Sequence, residues 1–177
     1  GAADHLGPRT TAPSRWIFDE FLQEGIAKMM RIGLVQIDGK LPNLALMKIS
    51  SYYKAQGATV EFAKPQTQYD KIFAAVLFTW NREAAARLID HYDDVEIGGT
   101  GWDLTKALPA DIETCKPDYD LYTADMLAPC YQKGIKKHDS AVKKAQDIVD
   151  MGVGFTSRGC VRNCGFCVVR KKEGYLR

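Results

Sequence analysis

From Arg31 onward the chain alternates apolar runs of strand length with amphipathic runs of helix length, and this alternation constrains the fold more than any other feature. RIGLVQI is a short apolar run suited to a parallel strand buried on both faces. LALMKISSYYKAQG follows, with Leu44, Met47, Ile49 and Tyr52 at helical spacing and Gly57 placed to close the helix. ATVEFA reads as a second strand, KIFAAVLFT as a third and REAAARLIDHY as a second helix. VEIGG reads as a fourth strand running into Gly98-Gly99-Thr100-Gly101. Strands separated by crossovers, at about 30 residues per unit, build right-handed βαβ connections and a parallel sheet. The expected fold class is α/β, a flavodoxin-like or Rossmann-like doubly wound parallel sheet over residues 30–105.

The flanks read differently. GAADHLGPRTTAPS is rich in small and turn-forming residues, after which Trp16, Ile17, Phe21, Leu22 and Ile26 recur at helical spacing behind Ser14, an N-cap residue type. Residues 1–29 are therefore expected to be a tail plus an amphipathic helix, an appendage or fusion scar ahead of the first strand. LPADIETCKPDYDLYTADMLAP holds three prolines and several turn-forming aspartates. It reads as an irregular connector that leaves the sheet near residue 105 and runs, with a short helix in AVKKAQDIVDMG, to residue 150. VGFTS is expected to be a strand leading into the last segment, residues 151–177.

At 177 residues and 46% hydrophobic content the chain can bury a core, which excludes wholesale disorder. No run of eighteen apolar residues and no signal-peptide pattern occurs, so a cytoplasmic chain without a membrane span is expected. The net charge of +2 is unevenly spread. Residues 133–177 carry eleven Lys or Arg against four Asp or Glu, the rest thirteen against eighteen. The basic end suits an anionic partner or a solvated helix and loop surface, and composition does not choose between them.

Cys160, Cys164 and Cys167 form C-x3-C-x2-C, three thiols within eight residues, and Cys115 and Cys130 stand apart. Spread pairs would suggest disulfides, whereas a crowded cluster in a reducing compartment points to a metal. Thiolate is the usual ligand of iron–sulfur clusters, and a loop of this size can wrap one face of a cubane. A structural zinc wants four protein ligands, and the nearest others, His138 and Cys130, lie 22 and 30 residues upstream of Cys160. Three thiolates around four irons leave one iron open to a substrate or cofactor.

VGFTSRGCVRNCGFCVVRKKEG resembles the cluster-binding segment of the radical S-adenosylmethionine (radical SAM) enzymes. In them a strand of a partial (β/α) barrel feeds a C-x3-C-x2-C loop with an aromatic residue before the third cysteine, here Phe166. The resemblance implies a [4Fe-4S] cluster on Cys160, Cys164 and Cys167, with S-adenosylmethionine on the fourth iron and near Phe166. It also implies an electron donor such as flavodoxin or ferredoxin, and a 5′-deoxyadenosyl radical that takes hydrogen from a substrate. RIGLVQIDGKLPNLALMKISSYYKAQGATVEF, IGGTGWDL and KPDYDLY are similar to parts of the cobalamin-binding-like domain that precedes many such barrels. A base-off cobalamin site has an Asp-x-His-x-x-Gly loop after the first strand. Here Asp38-Gly39-Lys40 follow Ile37 without a His, so the resemblance implies a domain that kept the fold without the vitamin. Ten residues follow Cys167. The chain thus resembles the N-terminal part of such an enzyme, with an incomplete barrel, and is expected not to turn over alone.

Other residues carry weaker signals. Asp38, at the end of the first strand, lies where doubly wound sheets bind ligands and equally suits a turn cap. Gly98, Gly99 and Gly101 suit a phosphate cradle by composition, but G-x-G-x-x-G spacing is absent and a tight turn is the stronger reading. His5, His91 and His138 share no spacing with other ligands, and Cys115 and Cys130 read as small packing residues. Trp80, Trp102 and the tyrosines between Tyr119 and Tyr131 invite base stacking by nucleic acid, with packing the default. The alternative to an enzyme is a flavodoxin-like ligand- or partner-binding module whose cysteine loop holds zinc or nothing.

Overall fold

A computed structural model describes residues 29–132 and 138–176. The expected tail and first helix, with Ser14 and His5, lie outside the described residues, as do Lys133, Lys136, Lys137 and Arg177. Strands β1 (Arg31–Gln36), β2 (Thr59–Phe62), β3 (Lys71–Ala75) and β4 (Val95–Gly98) form one sheet in the order β2-β1-β3-β4. All three pairings are parallel, with Leu34 opposite Phe62 on one side and Phe73 on the other. The α/β, all-parallel, Rossmann-compatible expectation holds.

Helix α1 (Leu44–Ala55) makes the first crossover. It starts where Asn43 Oδ1 accepts the N–H groups of Ala45 and Leu46, at 3.1 and 3.2 Å, and it is followed by Gly57 at φ +83°. Residues 63–70 carry the chain from β2 across to β3 without a helix. After β3 a 3-10 turn (Thr79–Asn81) leads into α2 (Arg82–Ala86), shorter than the REAAARLIDHY expectation. The chain tightens there: Leu88 and Ile89 donate to the carbonyls of Ala85 and Ala86, three residues back, instead of four.

Alternation along the strands divides the core. Ile32, Leu34, Phe73 and Ala75 pack in one cluster with Leu46, Met47 and Ile49 of α1. Ala74, Val76 and Ile97 pack in a second with Ala85 of α2, flanked by Val35 and Ile37. Two clusters fed by alternate residues of the same strands mean that both sheet faces are covered, as a parallel sheet requires.

The segment read as an irregular connector behaves otherwise. It contains α3 (Ala110–Glu113) and α4 (Ala124–Tyr131), and α5 (His138–Val149) follows. Ile112, Leu121, Tyr122, Leu127, Ala128 and Ala145 join the first cluster beside Leu34 and Leu46, so these residues stay on the sheet domain. The expected strand VGFTS is not formed; among the described residues, 153–157 have no strand beside them to complete a ladder. No helix among the described residues is long and apolar enough to cross a membrane.

Asp118 fastens this segment to α1. Its N–H donates to Met47 O at 3.1 Å, and its Oδ2 accepts both Ser50 Oγ and Lys54 Nζ at 2.6 Å. Ser50 is fully buried, and the Asp118 side chain is 9% exposed. Burial alone raises the Asp118 pKa, but the bonds from Lys54 and Ser50 outweigh it and hold the carboxyl below its ordinary value. Asp118→Ala is expected to lower unfolding free energy by about 2 kcal/mol at neutral pH, since it leaves a buried hydroxyl without its acceptor. A depressed folded-state pKa stabilises above the unfolded value of about 4, and the gain is lost as pH falls through the folded pKa. The difference between the two proteins in urea titrations should therefore shrink as pH falls below about 4; a constant difference would refute the assignment.

Candidate metal centre

The cysteine loop closes on itself through backbone contacts. Gly159 has φ +86°, and a Cβ there would lie 2.3 Å from Tyr175 O, so only glycine lets the incoming chain pass the outgoing one. Cys160 N–H donates to Gly174 O at 3.3 Å, and Arg170 Nη1 donates to Cys160 O at 3.0 Å. Within the loop Cys167 N–H reaches Cys164 O at 3.1 Å and Arg162 N–H reaches Cys160 Sγ at 3.4 Å. Helix α6 (Val169–Glu173) follows directly.

Polar contacts dock this loop on the sheet domain. Arg158 pairs with Glu113 of α3 at 3.1 Å and with Glu173 at 3.8 Å, and its guanidinium lies over Phe155. Lys48 of α1 reaches the same Glu113 carboxylate at 3.1 Å. Lys172 Nζ donates to Leu104 O and Lys106 O at 3.4 and 3.0 Å. Between these elements lies a cavity of about 390 Å³, lined by Leu44, Lys48, Glu113, Pro117, Phe155 and Arg158 among others.

Cys160, Cys164 and Cys167 are half-buried and free of disulfides, as are Cys115 and Cys130. Phe166, 92% exposed, is the most exposed large apolar side chain among the described residues. Three thiols on one loop, one already accepting a backbone N–H, suit by donor chemistry a thiolate-ligated centre. Among the described residues, however, no three His, Cys, Asp or Glu side chains are grouped to hold a metal ion. Loading such a centre would require the loop to gather its sulfurs.

The other expected site residues meet at the far end of β3. Asp38 Oδ1 accepts Leu77 N–H at 2.7 Å, and its Oδ2 accepts Phe78 N–H at 3.0 Å and Asn81 Nδ2 at 2.9 Å. The carboxylate thus caps the chain leaving β3, which is the turn-cap reading. Gly101 N–H donates to Val76 O, and Trp102 and Asp103 N–H donate to Gly99 O, all at 3.0 Å. The Gly101 amide is thereby engaged internally, and the tight-turn reading describes this loop. Gly98 and Gly99 serve the same contact: Gly98 O accepts Val76 N–H at 3.0 Å, and Gly99, at φ +101°, lies against Val76.

Of the remaining candidates, His91 Nδ1 lies 2.7 Å from Arg87 O. The His138 side chain is outside the described residues. Trp80, 74% exposed, stacks on Phe78 with centroids 4.6 Å apart, whereas Trp102 packs against the second core cluster beneath Arg82. Tyr122 is buried; its hydroxyl donates to Gln36 Oε1 at 2.5 Å and accepts Asn43 N–H, and burial pushes its pKa up to about 12. The sequence reading missed Arg170 and Glu113, partners separated from their targets by ten and 45 residues. Glycine immediately before Cys160 was the available signal for a tightly closed loop.

No protein-family model, curated protein or solved structure matches the chain.

Substitution separates structural from ligand-binding roles in the glycine turn. Gly99→Ala places a methyl 2.1 Å from Val76 O. With the strain of a positive φ it should cost about 3 kcal/mol, read by thermal or urea unfolding. Gly98→Ala meets open space and should change stability by less than about 0.5 kcal/mol. Equal effects at the two positions would contradict the close approach to Val76.

Proposed function

We propose that the chain is the sheet domain and cluster-binding segment of a radical SAM enzyme. The observation that carries this reading is the C-x3-C-x2-C loop itself: three disulfide-free thiols in eight residues, closed through Gly159 and docked on a parallel α/β domain. In this reading Cys160, Cys164 and Cys167 hold a [4Fe-4S] cluster. Held by these three residues, the cluster would supply the one-electron chemistry for reductive cleavage of S-adenosylmethionine.

The chain's own residues do the rest. Each cysteine gives up its thiol proton when it becomes a ligand, so loading releases protons and weakens as pH falls. Arg162 N–H donates to Cys160 Sγ and would orient that sulfur as a ligand. Phe166, apolar and exposed, stands in the loop where it excludes water from the cluster face or lies beside S-adenosylmethionine. Asp38 is committed to Leu77, Phe78 and Asn81, and Lys40 stands two residues after it where a base-off cobalamin loop has His, which supports a sheet domain that works without cobalamin. An external donor of the flavodoxin or ferredoxin kind would reduce the cluster, and the protein works in the cytoplasm.

The second reading is a flavodoxin-like ligand- or partner-binding module whose loop holds zinc or nothing. Anaerobic loading with iron and sulfide discriminates the two. The radical reading expects about four irons per chain and an electron paramagnetic resonance signal that changes when S-adenosylmethionine is added. Cys160→Ala, Cys164→Ala and Cys167→Ala should each lose most of that iron, whereas Cys115→Ala and Cys130→Ala should keep it. No iron, or one tightly held zinc, would overturn the radical reading and support the module.

A further inference from the structure

The first cysteine of the loop is held from outside the loop, and the other two are not held in the same way. Both polar groups of the Cys160 peptide are engaged by the segment that follows the loop: its N–H by Gly174 O at 3.3 Å, its carbonyl by Arg170 Nη1 at 3.0 Å. Gly159 passes against Tyr175 O, and Arg158 is paired with Glu113 and Glu173. Cys164 and Cys167 are instead tied to each other, Cys167 N–H donating to Cys164 O.

Arg170 suits its place by shape. Its guanidinium carbon lies 4.8 Å from the Tyr175 ring centroid while Nη1 donates to Cys160 O. A planar guanidinium can stack with one face and donate from its edge, which an ammonium cannot do. Two residues past Cys160, the Arg162 N–H meets Cys160 Sγ. The orientation of the Cys160 peptide therefore decides whether that sulfur keeps its hydrogen bond.

We propose that Arg170 is a positioning residue for Cys160 as an iron–sulfur ligand, orienting the Cys160 peptide so that the sulfur keeps the Arg162 N–H. The inference rests on the cluster reading above. Outer partners of metal ligands orient them, and their loss typically lowers metal affinity tenfold to a hundredfold. Hydrogen bonds to ligand sulfurs also help set cluster potentials, by favouring the reduced, more negative state.

The test loads the full chain, Arg170→Ala, Arg170→Lys and Lys171→Ala anaerobically with iron and sulfide. It measures iron release to a chelator, midpoint potential and, on the unloaded proteins, thermal unfolding. Arg170→Ala should release iron roughly tenfold to a hundredfold faster and have a more negative potential. Arg170→Lys, which keeps a donor but not the stack, should fall between it and the unsubstituted protein. Lys171→Ala removes an exposed neighbouring charge and should behave like the unsubstituted protein. If Arg170→Ala matches the unsubstituted protein, or Lys171→Ala matches Arg170→Ala, the positioning role is overturned while the cluster reading stands. If Arg170→Ala does not fold, Arg170→Met replaces it; this variant keeps the apolar stem and loses the donor, and unchanged release and potential overturn the proposal. Failure of the unsubstituted chain to take up iron overturns the cluster reading and this inference together.

Discussion

β1 and β3 lie side by side at the centre of the sheet, joined over five residue pairs from Ile32–Lys71 to Gln36–Ala75. Because this ladder is parallel, both strands release their chains at the same end. Ile37 N–H still bonds Ala75 O there, and Asp38 and Leu77 emerge together. The carboxylate of Asp38 then satisfies Leu77 and Phe78 N–H groups that β3 has left without a ladder partner. β4, parallel on the far side of β3, delivers the glycine turn to the same place, where Val76 exchanges bonds with Gly98 and Gly101. An arrangement that resembles a ligand site in sequence is thus a joint closing the end of a parallel sheet. The need to pair backbone groups leaving the ladder accounts for it.

What was legible in the sequence follows from the range of the forces involved. The central strands β1 and β3 were readable because burial on both faces makes each a near-continuous apolar run, and the edge strands β2 and β4 because Val60 and Phe62, and Val95 and Ile97, alternate with Glu61 and Glu96; both signatures are local. α1 was readable because Asn43, the helical spacing after it and Gly57 all act within a few residues. The α3–α4 segment was not, because Ile112, Leu121 and Leu127 take their places through contacts with distant residues. Asp118 binds Ser50 across 68 positions and Tyr122 binds Gln36 across 86. Prolines and aspartates that signal irregular chain say nothing of such partners. VGFTS failed for the complementary reason: strand propensity is local, but a strand exists only where a neighbour completes its hydrogen bonds. The cysteine spacing was plain, and the hold on Cys160 was hidden because Arg170 acts through the shape of the closed loop.

The cysteine segment is attached to the sheet domain by polar contacts. Arg158 and Lys48 converge on the Glu113 carboxylate, and Lys172 spans two carbonyls of residues 104 and 106. Exposed ion pairs contribute little each, about 0 to 1 kcal/mol, so this attachment is specific in geometry rather than strong. Lys48, with a side chain 13% exposed, is the most desolvated member of the group and ties it to the buried α1. The large apolar side chains of the segment stay open: Phe155, Val161, Phe166 and Tyr175 are all more than half exposed. Large apolar side chains crowded on one exposed segment usually mark surface that another group covers. Charged residues hold the loop while its apolar residues stay open, and in the radical reading a cluster and its cofactor would cover that face. In the partner-binding reading the same face would meet a protein, so uptake of iron, which depends on the thiols and not on the aromatic rings, separates the two.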